Sequence, residues 1–484
     1  MTNVLVVISD QHTASILGCA GDPLVQTPNL DRLNAGGVRL DAAYCSFPLC
    51  CPSRMSFLTG RYASEIDCLD NRVQLSSDIP TFAHAFSVSG YETVLAGRMH
   101  IIGADQLHGF EQRLLGDVQG SAYSDYAPGI LEPLANALGG SQMGFEHSGP
   151  GRSGLQAFDH RVSETTIEWI RQRGCTTFKR RPFMMVMGLF LPHNPWIAPA
   201  EDFALYHGKI TERDLPHVGL EPPHPLHRQM RQLAGWKHID IESQIRVRTA
   251  YYAMCTTVDR HVGRVLDALD DVGLGEDTIV IYTSDHGEAL GAHGLWGKST
   301  FFEESARIPM IIRWPKRIAA GSTVQQPVSL MDLGPTMLDL AGATPLPATT
   351  GRSFAPLLLR PDQPHSAYPN AVISELQAGR MIRQGRWKYC YYVDMPDELY
   401  DLVSDPQELT NLADVGHLAD LCCGLRTRLM AGWNPDRARQ TVERRNKELP
   451  MITDWVRTVA PPEPIPPWHD GPQENRVDRP PPQG

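Results

Sequence analysis

The chain alternates apolar runs with stretches whose apolar residues recur at helical spacing. Residues 3–9 (NVLVVIS), 182–192 (PFMMVMGLFLP) and 277–287 (DTIVIYTSDHG) are almost continuously apolar until each meets polar residues. Such runs are typical of strands that are buried on both faces of a sheet. Residues 160–174 and 239–274 have helical spacing. The pattern therefore predicts an α/β fold with a mixed, mostly parallel sheet and helices on both of its faces.

The pattern changes after about Ser366. AVISEL, GRMIRQG and RWKYCYYV are strand-like segments joined by turns, and a helix over about 417–432 follows. This order predicts a small C-terminal antiparallel sheet with a helix packed on it. The chain beyond Val459 is rich in proline, which excludes a helix or a central strand, so we expect an extended or disordered tail. The predicted division is a large domain over 1–366, a subdomain over 367–458 and a tail over 459–484.

The composition narrows the class of protein. With 42% hydrophobic and 20% charged residues, the chain is ordinary for a globular protein. Its net charge of -11 argues against nucleic acid or an anionic membrane as a partner, but a local metal ion can still attract an anionic substrate. No signal peptide and no run of about 18 apolar residues is evident, so we expect a cytoplasmic protein.

Ten cysteines are present, and we expect free thiols rather than a disulfide framework. Cys45, Cys50 and Cys51 crowd one segment but lack the paired spacing of a zinc site. A zinc or redox-sensor function for these three thiols is the weakest of the hypotheses that stay open.

Two acids follow apolar strands. Asp10 ends the first run, and Asp285 ends the third. Carboxyl ends of parallel strands lie at one edge of a sheet, where the sites of open α/β proteins are found. Taken alone, each acid is better explained as a turn residue after a strand.

The segment LCCPSRMSFLTGRYA (49–63) carries the sharpest signal. Its composition alone suits the start of a helix. The pattern C-x-P-S-R-x-x-x-L-T-G-R over 50–61, however, resembles the signature of the type I sulfatases at every fixed position. The resemblance implies that Cys50 is oxidised to formylglycine by a separate formylglycine-generating enzyme, and that Cys51 occupies a variable position. It also implies an alkaline-phosphatase-like α/β core.

The same resemblance implies a metal site. Asp10, Gln11, Asp285 and His286 match the positions of the family's ligands to one divalent metal ion. Most members have two adjacent acids at the first pair and Asp-Asn at the second, whereas Asp-Gln and Asp-His occur in the choline sulfatase and phosphonate monoester hydrolase branch. Oxygen ligands favour Ca²⁺, and the imidazole nitrogen makes Mn²⁺ plausible.

The resemblance also assigns roles to cationic side chains. Arg54 would hold the formylglycine hydrate, and Arg98 would bind sulfate oxygens where the family usually has lysine. His100 would be the base, His193 would protonate the leaving alcohol, and Lys298 would contact sulfate and the leaving group. Considered singly, each such residue in a loop is more often a solvated surface group.

The likeness runs from residue 3 to about 415 and implies hydrolysis of sulfate monoesters. Residues 118–155, which should line part of the substrate pocket, contain no tryptophan, whereas choline sulfatases have tryptophans there. We therefore expect a small alkyl or aryl sulfate other than choline sulfate. Phosphonate monoester or phosphodiester hydrolysis at the same site, or a binding homologue without catalysis, are the alternatives. The tail, with Trp468, implies an arm that reaches a neighbouring subunit in a dimer or tetramer.

Overall fold

The computed structural model describes residues 2–118, 142–174, 181–216, 220–360, 368–461, 468 and 476–478. The strands are, in chain order, β1 (Asn3–Asp10), β2 (Val38–Leu40), β3 (Ala43–Tyr44), β4 (Glu92–Gly97), β5 (Gln112–Leu115), β6 (Gly149–Arg152), β7 (Phe183–Pro192), β8 (Ile197–Ala198), β9 (Thr278–Ser284), β10 (Met310–Arg313), β11 (Ser322–Val324), β12 (Val328–Ser329), β13 (Ala371–Leu376), β14 (Gly379–Gln384), β15 (Trp387–Tyr392), β16 (Glu398–Asp401) and β17 (Arg476–Val477).

The helices occupy the segments between the strands and the part of the chain that follows β16. They are α1 (Pro28–Ala35), α2 (Cys50–Thr59), α3 (Phe82–Val88), α4 (Gln142–Glu146), α5 (Gly154–Gly174), α6 (Ala200–Ala204), α7 (Pro225–Leu233), α8 (Ile241–Asp271), α9 (Glu303–Ala306), α10 (Leu333–Ala341), α11 (Ala355–Leu359), α12 (Ala419–Met430) and α13 (Pro435–Val459). Among these described helices, none combines the length and the apolar composition that a membrane span requires.

Within the described residues, eight strands form the main sheet in the order β11-β2-β10-β9-β1-β7-β4-β5. All neighbouring pairs are parallel except those of β10, which runs antiparallel to β9 and β2. β1 lies between β7 and β9, so the three most apolar runs of the sequence form the middle of the sheet. The predicted mixed, mostly parallel sheet is confirmed.

Both faces of this sheet are covered, which is why its central strands are apolar without interruption. Along β1, Val4, Val6 and Ile8 point into a core shared with α2, α3 and α10. Leu5 and Val7 point into a second core shared with α1, α5 and α8. Polar side chains on β1 are thereby restricted to its two ends, Asn3 at the start and Ser9 and Asp10 at the carboxyl end.

The C-terminal region forms the predicted antiparallel sheet, β13-β14-β15-β16, and α12 packs against it. The helix α13, 25 residues long, was not predicted. Its sequence is largely polar, and few of its side chains, among them Ala438 and Val456, are buried. A helix with such a narrow apolar face gives only a weak hydrophobic periodicity, which explains the omission.

The described parts of the proline-rich tail lie against their own chain. β17 pairs with β6, and the ring of Trp468 packs on Phe158. Trp468 also donates its backbone N–H to the carbonyl of Asp117. The expected reach of the tail toward a neighbouring subunit stays a prediction.

Candidate active site

The parallel pairing of β1 with β9 brings the two strand-end acids together. Ser9 lies opposite Ser284 in the register, so Asp10 and Asp285 follow side by side at the carboxyl edge. The backbone N–H of Gln11 donates to Asp285 Oδ1 at 3.0 Å. Gln11 adopts a left-handed φ of 69°, an unfavourable backbone conformation for this residue type that is characteristic of functional turns.

Helix α2 presents Cys50 and Arg54 to these acids. The two residues are four apart and therefore lie on the same face of the helix. Arg54 Nε donates to Asp285 Oδ2 at 2.8 Å, and Arg54 Nη2 donates to Asp10 Oδ2 at 3.2 Å. All three charged side chains are fully buried. The guanidinium thus fixes the start of α2 against both strand ends.

Three polar groups surround the Cys50 sulfur. Lys298 Nζ lies 3.0 Å from Cys50 Sγ, and His286 Nε2 lies 3.2 Å from it. Asp10 Oδ1 is 3.7 Å away on another side. Cys50 is itself only 1% exposed, so access to it is restricted to the space between these groups.

The charges around Cys50 favour a negative group at this position. Burial alone would raise the pKa of the Cys50 thiol, but the positive charges of Lys298 and His286 lower it well below its usual value. Burial raises the pKa of the nearby Cys45 thiol without such compensation. The site is therefore suited to an anionic nucleophile and an anionic substrate.

The segment after β4 adds Arg98 and His100. Arg98 Nε donates to Asp10, and Arg98 Nη1 lies 3.5 Å from Asp117 Oδ1. Arg98 Nη2 is 3.1 Å from His100 Nδ1, while the His100 backbone N–H donates to Asp117 Oδ2 at 3.0 Å. Burial would raise the pKa of Asp10, but the guanidinium groups of Arg98 and Arg54 help to hold it well below its usual range.

The loops after β7 and β9 supply His193 and Lys298. Lys298 Nζ lies 2.8 Å from His193 Nε2 and donates to Gln11 Oε1 at 2.7 Å. His193 Nδ1 is 2.6 Å from the Asn194 carbonyl, so Nδ1 carries a proton and Nε2 accepts from the ammonium group. A proton donor pair is thus placed beside Cys50.

The ligand set fits a divalent metal ion. Asp10, Asp285 and His286 offer atoms that, with Cys50 Sγ, all lie within 4.8 Å of one another. His286 Nδ1 is bonded to the Gly287 carbonyl, which leaves Nε2 directed at both carboxylates. Two carboxylates, an imidazole and the amide oxygen of Gln11 make a mixed oxygen and nitrogen donor set. Cys45 and Cys51 are not part of this set among the described residues.

Glu288 belongs to the site but was missed in the sequence. Its Oε1 accepts from the backbone N–H groups of Leu290 and Gly297, at 2.9 and 2.5 Å, and its Oε2 accepts from Gln11 Nε2. With the amide nitrogen held there, Gln11 Oε1 faces Lys298. The acid follows the Asp285-His286 pair closely, and this spacing was the available signal.

Asp117 was the other omission. It ends the segment 97–117 and binds both Arg98 and His100. Its role depends on the return of the chain from β5, which the sequence pattern does not specify. In contrast, every side chain given a catalytic or metal-binding role from the sequence, from Asp10 to Lys298, lies in this one cluster; their chemical roles stay predictions. Much of the region 118–155 expected to line the substrate pocket, namely 119–141, lies outside the described residues.

Comparisons with known proteins identify the family and the fold that this chain resembles. A family described as Sulfatase matches residues 2–343, and one described as N-sulphoglucosamine sulphohydrolase, C-terminal, matches residues 291–433. A choline-sulfatase of Rhizobium meliloti (strain 1021) is 32% identical over 432 residues, which cover 85% of this chain and 82% of that protein. Arylsulfatase K of Xenopus laevis is 29% identical over 446 residues, covering 85% and 79%. The phosphonate monoester hydrolase of Agrobacterium radiobacter shares the fold, with a TM-score of 0.73, 24% identity, and coverage of 91% of this chain and 96% of that one.

Proposed function

The chain belongs to the sulfatase family and is a sulfuric ester hydrolase; from this premise we propose that it hydrolyses small alkyl or aryl sulfate monoesters at a formylglycine made from Cys50. The observation that carries the proposal is the position of Cys50. Its sulfur lies between Lys298, His286 and Asp10, at the point where cationic groups converge. The products would be the alcohol and sulfate.

Two groups complete the chemistry. Asp10, Gln11, Asp285 and His286 would hold one Ca²⁺ or Mn²⁺, which when bound lowers the pKa of a hydroxyl and neutralises charge on the sulfate. Hydrated formylglycine supplies two hydroxyls on one carbon, one for attack on sulfur and one whose deprotonation expels sulfate. The maturation partner would be a formylglycine-generating enzyme.

The protein's own residues then divide the proton transfers. His100, held by Arg98 and Asp117, is assigned the removal of the proton that allows sulfate to leave. His193 and Lys298 hold a proton between them, and we assign its delivery to the oxygen of the departing alcohol. Lys298 and Arg98 would stabilise the charge that develops on the sulfate oxygens.

The placement of the groups also supports the predicted domain division. We propose that the main sheet with its site belongs to residues 1–366, and that the four-stranded sheet belongs to residues 367–458. All the assigned side chains, from Asp10 to Lys298, then belong to the first of these units. Residues 459–484 would be the tail.

The test is a comparison of substrates on protein produced together with a formylglycine-generating enzyme. We expect 4-nitrophenyl sulfate to be turned over with a higher kcat/KM than the 4-nitrophenyl ester of phenylphosphonic acid. The reverse order would favour the phosphonate monoester or phosphodiester alternative, which the Asp-Gln and Asp-His pairs also suit. Equal, negligible rates for the mature protein and for Cys50→Ala would instead indicate a homologue without catalysis.

A further inference from the structure

A second cluster of metal-binding side chains shares no residue with the Cys50 site. His224 caps the start of α7, His227 lies in the first turn of that helix, and Glu398 begins β16. All three are buried, at 4%, 0% and 2% exposure. One nitrogen or oxygen atom from each lies within 4.8 Å of the others. The cluster joins a helix of the large domain to the C-terminal sheet.

His227 is the unusual member. Among the described residues, neither of its ring nitrogens has a hydrogen-bond partner, although the side chain is fully buried. Its ring instead packs against those of Phe302 and His224, with centroids 4.8 and 5.1 Å apart. A neutral imidazole has one N–H donor and one lone pair, and a charged imidazole has two N–H donors. Burying these groups without a hydrogen-bond partner costs free energy. The lone pair is therefore available to a metal ion.

The other two side chains are oriented as metal ligands are. His224 Nε2 is 2.9 Å from the Pro396 carbonyl, so Nε2 carries the proton and Nδ1 has the lone pair. That lone pair accepts from the Leu226 backbone N–H at 3.2 Å, a bond that a metal ion would replace. Glu398 accepts one hydrogen bond from the hydroxyl of Tyr392 and one from that of Tyr400, each at 2.9 Å. Outer contacts of this kind, to carbonyls and hydroxyls, fix the ligands of protein metal sites.

Burial raises the pKa of Glu398. We propose that His224, His227 and Glu398 form a second metal site, selective for zinc. Two imidazoles and one carboxylate are a donor set that zinc uses in proteins. An ion there would tie α7 to β16 and would give the carboxylate a positive partner. The proposal does not depend on the reaction at Cys50.

Crystals grown with excess ZnCl₂ test the site directly. In data collected above and below the zinc absorption edge, we expect an anomalous peak between the three side chains. Absence of this peak would overturn the proposal, whether or not a water molecule is found beside the His227 ring nitrogens. The measurement uses the full wild-type chain and needs no variant to fold.

Zinc content in solution gives the second test. After removal of metal with a chelator and dialysis against ZnCl₂, His227→Phe should hold one equivalent fewer than the wild type, because phenylalanine keeps the ring packing but lacks nitrogen. The control is His261→Phe, which removes another buried imidazole, one bound to Ser163, and should hold as much zinc as the wild type. An unchanged zinc content in His227→Phe would contradict the assignment. Activity on sulfate esters should be similar in both variants.

Discussion

Two lysines, the fully buried Lys388 and the partly buried Lys298, show how differently one side chain is used in this molecule. Lys388 lies between Glu303 and Glu408, with Nζ 3.0 and 2.7 Å from their oxygens, and we call these three residues the Lys388 cluster. Lys298 instead contacts a thiol, an amide oxygen and an imidazole in the Cys50 site. None of these three contacts of Lys298 is with a carboxylate.

The difference lies in the partners. Burial would lower the pKa of Lys388, but its two glutamates raise it far above the usual value, so this ammonium is committed to an ion pair. The Lys298 ammonium is instead turned toward Cys50, the proposed nucleophile, and toward His193 Nε2. We infer that the Lys388 cluster serves stability by joining β15 to the start of α9, whereas Lys298 serves chemistry. The following predictions test this difference between the two lysines.

The largest effect is expected from Lys388→Met. Loss of this cation removes the ammonium group that Glu303 and Glu408 share, leaving Glu303 with Arg307 and Tyr44 and Glu408 with the Glu303 backbone N–H. Breaking a buried pair costs about 3–5 kcal/mol of the free energy of unfolding. Urea unfolding should show the loss, while kcat/KM per folded molecule stays at the wild-type value. Lys316→Met, which removes an exposed lysine paired with Asp277, is the control and should change little. An unfolding midpoint equal to that of the wild type would refute the role of the cluster.

Lys298→Ala should have the opposite profile. A group that stabilises developing charge beside the nucleophile is worth about 10²–10³-fold in rate, or about 2.7–4 kcal/mol. Steady-state kinetics on 4-nitrophenyl sulfate should show this fall in kcat, and the unfolding midpoint should move less than in Lys388→Met. A variant with full activity would show that the two lysines do not differ as we infer.

Glu288→Gln should weaken metal binding about 10–100-fold, the usual effect of disturbing a group that orients a ligand. A glutamine can donate to the Gln11 oxygen, so the Gln11 amide would no longer be held with that oxygen toward the site. Calorimetric titration with MnCl₂ measures the affinity without reference to activity. The double variant Gln11→Glu/Glu288→Gln restores an amide–carboxylate pair and should recover part of the affinity. Equal affinities of the wild type and Glu288→Gln would show that Glu288 does not orient a metal ligand.

The smallest effect is a pH dependence of stability within the Lys388 cluster. Burial raises the pKa of Glu408 to about 8, and Lys388 offsets this only partly. The folded protein therefore keeps a proton that the unfolded chain loses above its own pKa of about 4.3. The stability from this group is complete below that value and is lost as the pH rises toward 8, by at most about 1.4 kcal/mol per pH unit.

Two variants distinguish the pH dependence contributed by Glu408 from that contributed by Glu303, which has the opposite sign. Glu408→Gln should remove that decline in urea midpoint between about pH 5 and pH 8. Burial would also raise the pKa of Glu303, but Lys388 and Arg307 lower it, so its contribution is lost as the pH falls below the unfolded pKa. Glu303→Gln should therefore leave the decline at higher pH in place. Parallel curves for the wild type and Glu408→Gln would contradict this distribution of charge.

The same contrast explains what the sequence could predict. Asp10 and Asp285 end apolar strands, and Cys50 lies in a fixed local pattern, so periodicity and spacing were sufficient to find them. Glu408 and Lys388 come from segments about 20 residues apart that meet Glu303 only in the folded state. Helix α13 was missed because its apolar face is narrow. Contacts of this kind depend on how loops and sheets meet, and a single sequence does not encode them in a short pattern.

Mass spectrometry of the proteolytic fragment that contains Cys50 tests directly whether this residue is converted to formylglycine. Protein made with a formylglycine-generating enzyme should show the mass loss that accompanies replacement of CH₂–SH by CHO, whereas ordinary oxidation of a thiol adds oxygen. Sulfatase activity should rise in proportion to the converted fraction across preparations. Full hydrolysis of 4-nitrophenyl sulfate by protein whose Cys50 is wholly unmodified would show that formylglycine at Cys50 is not the nucleophile.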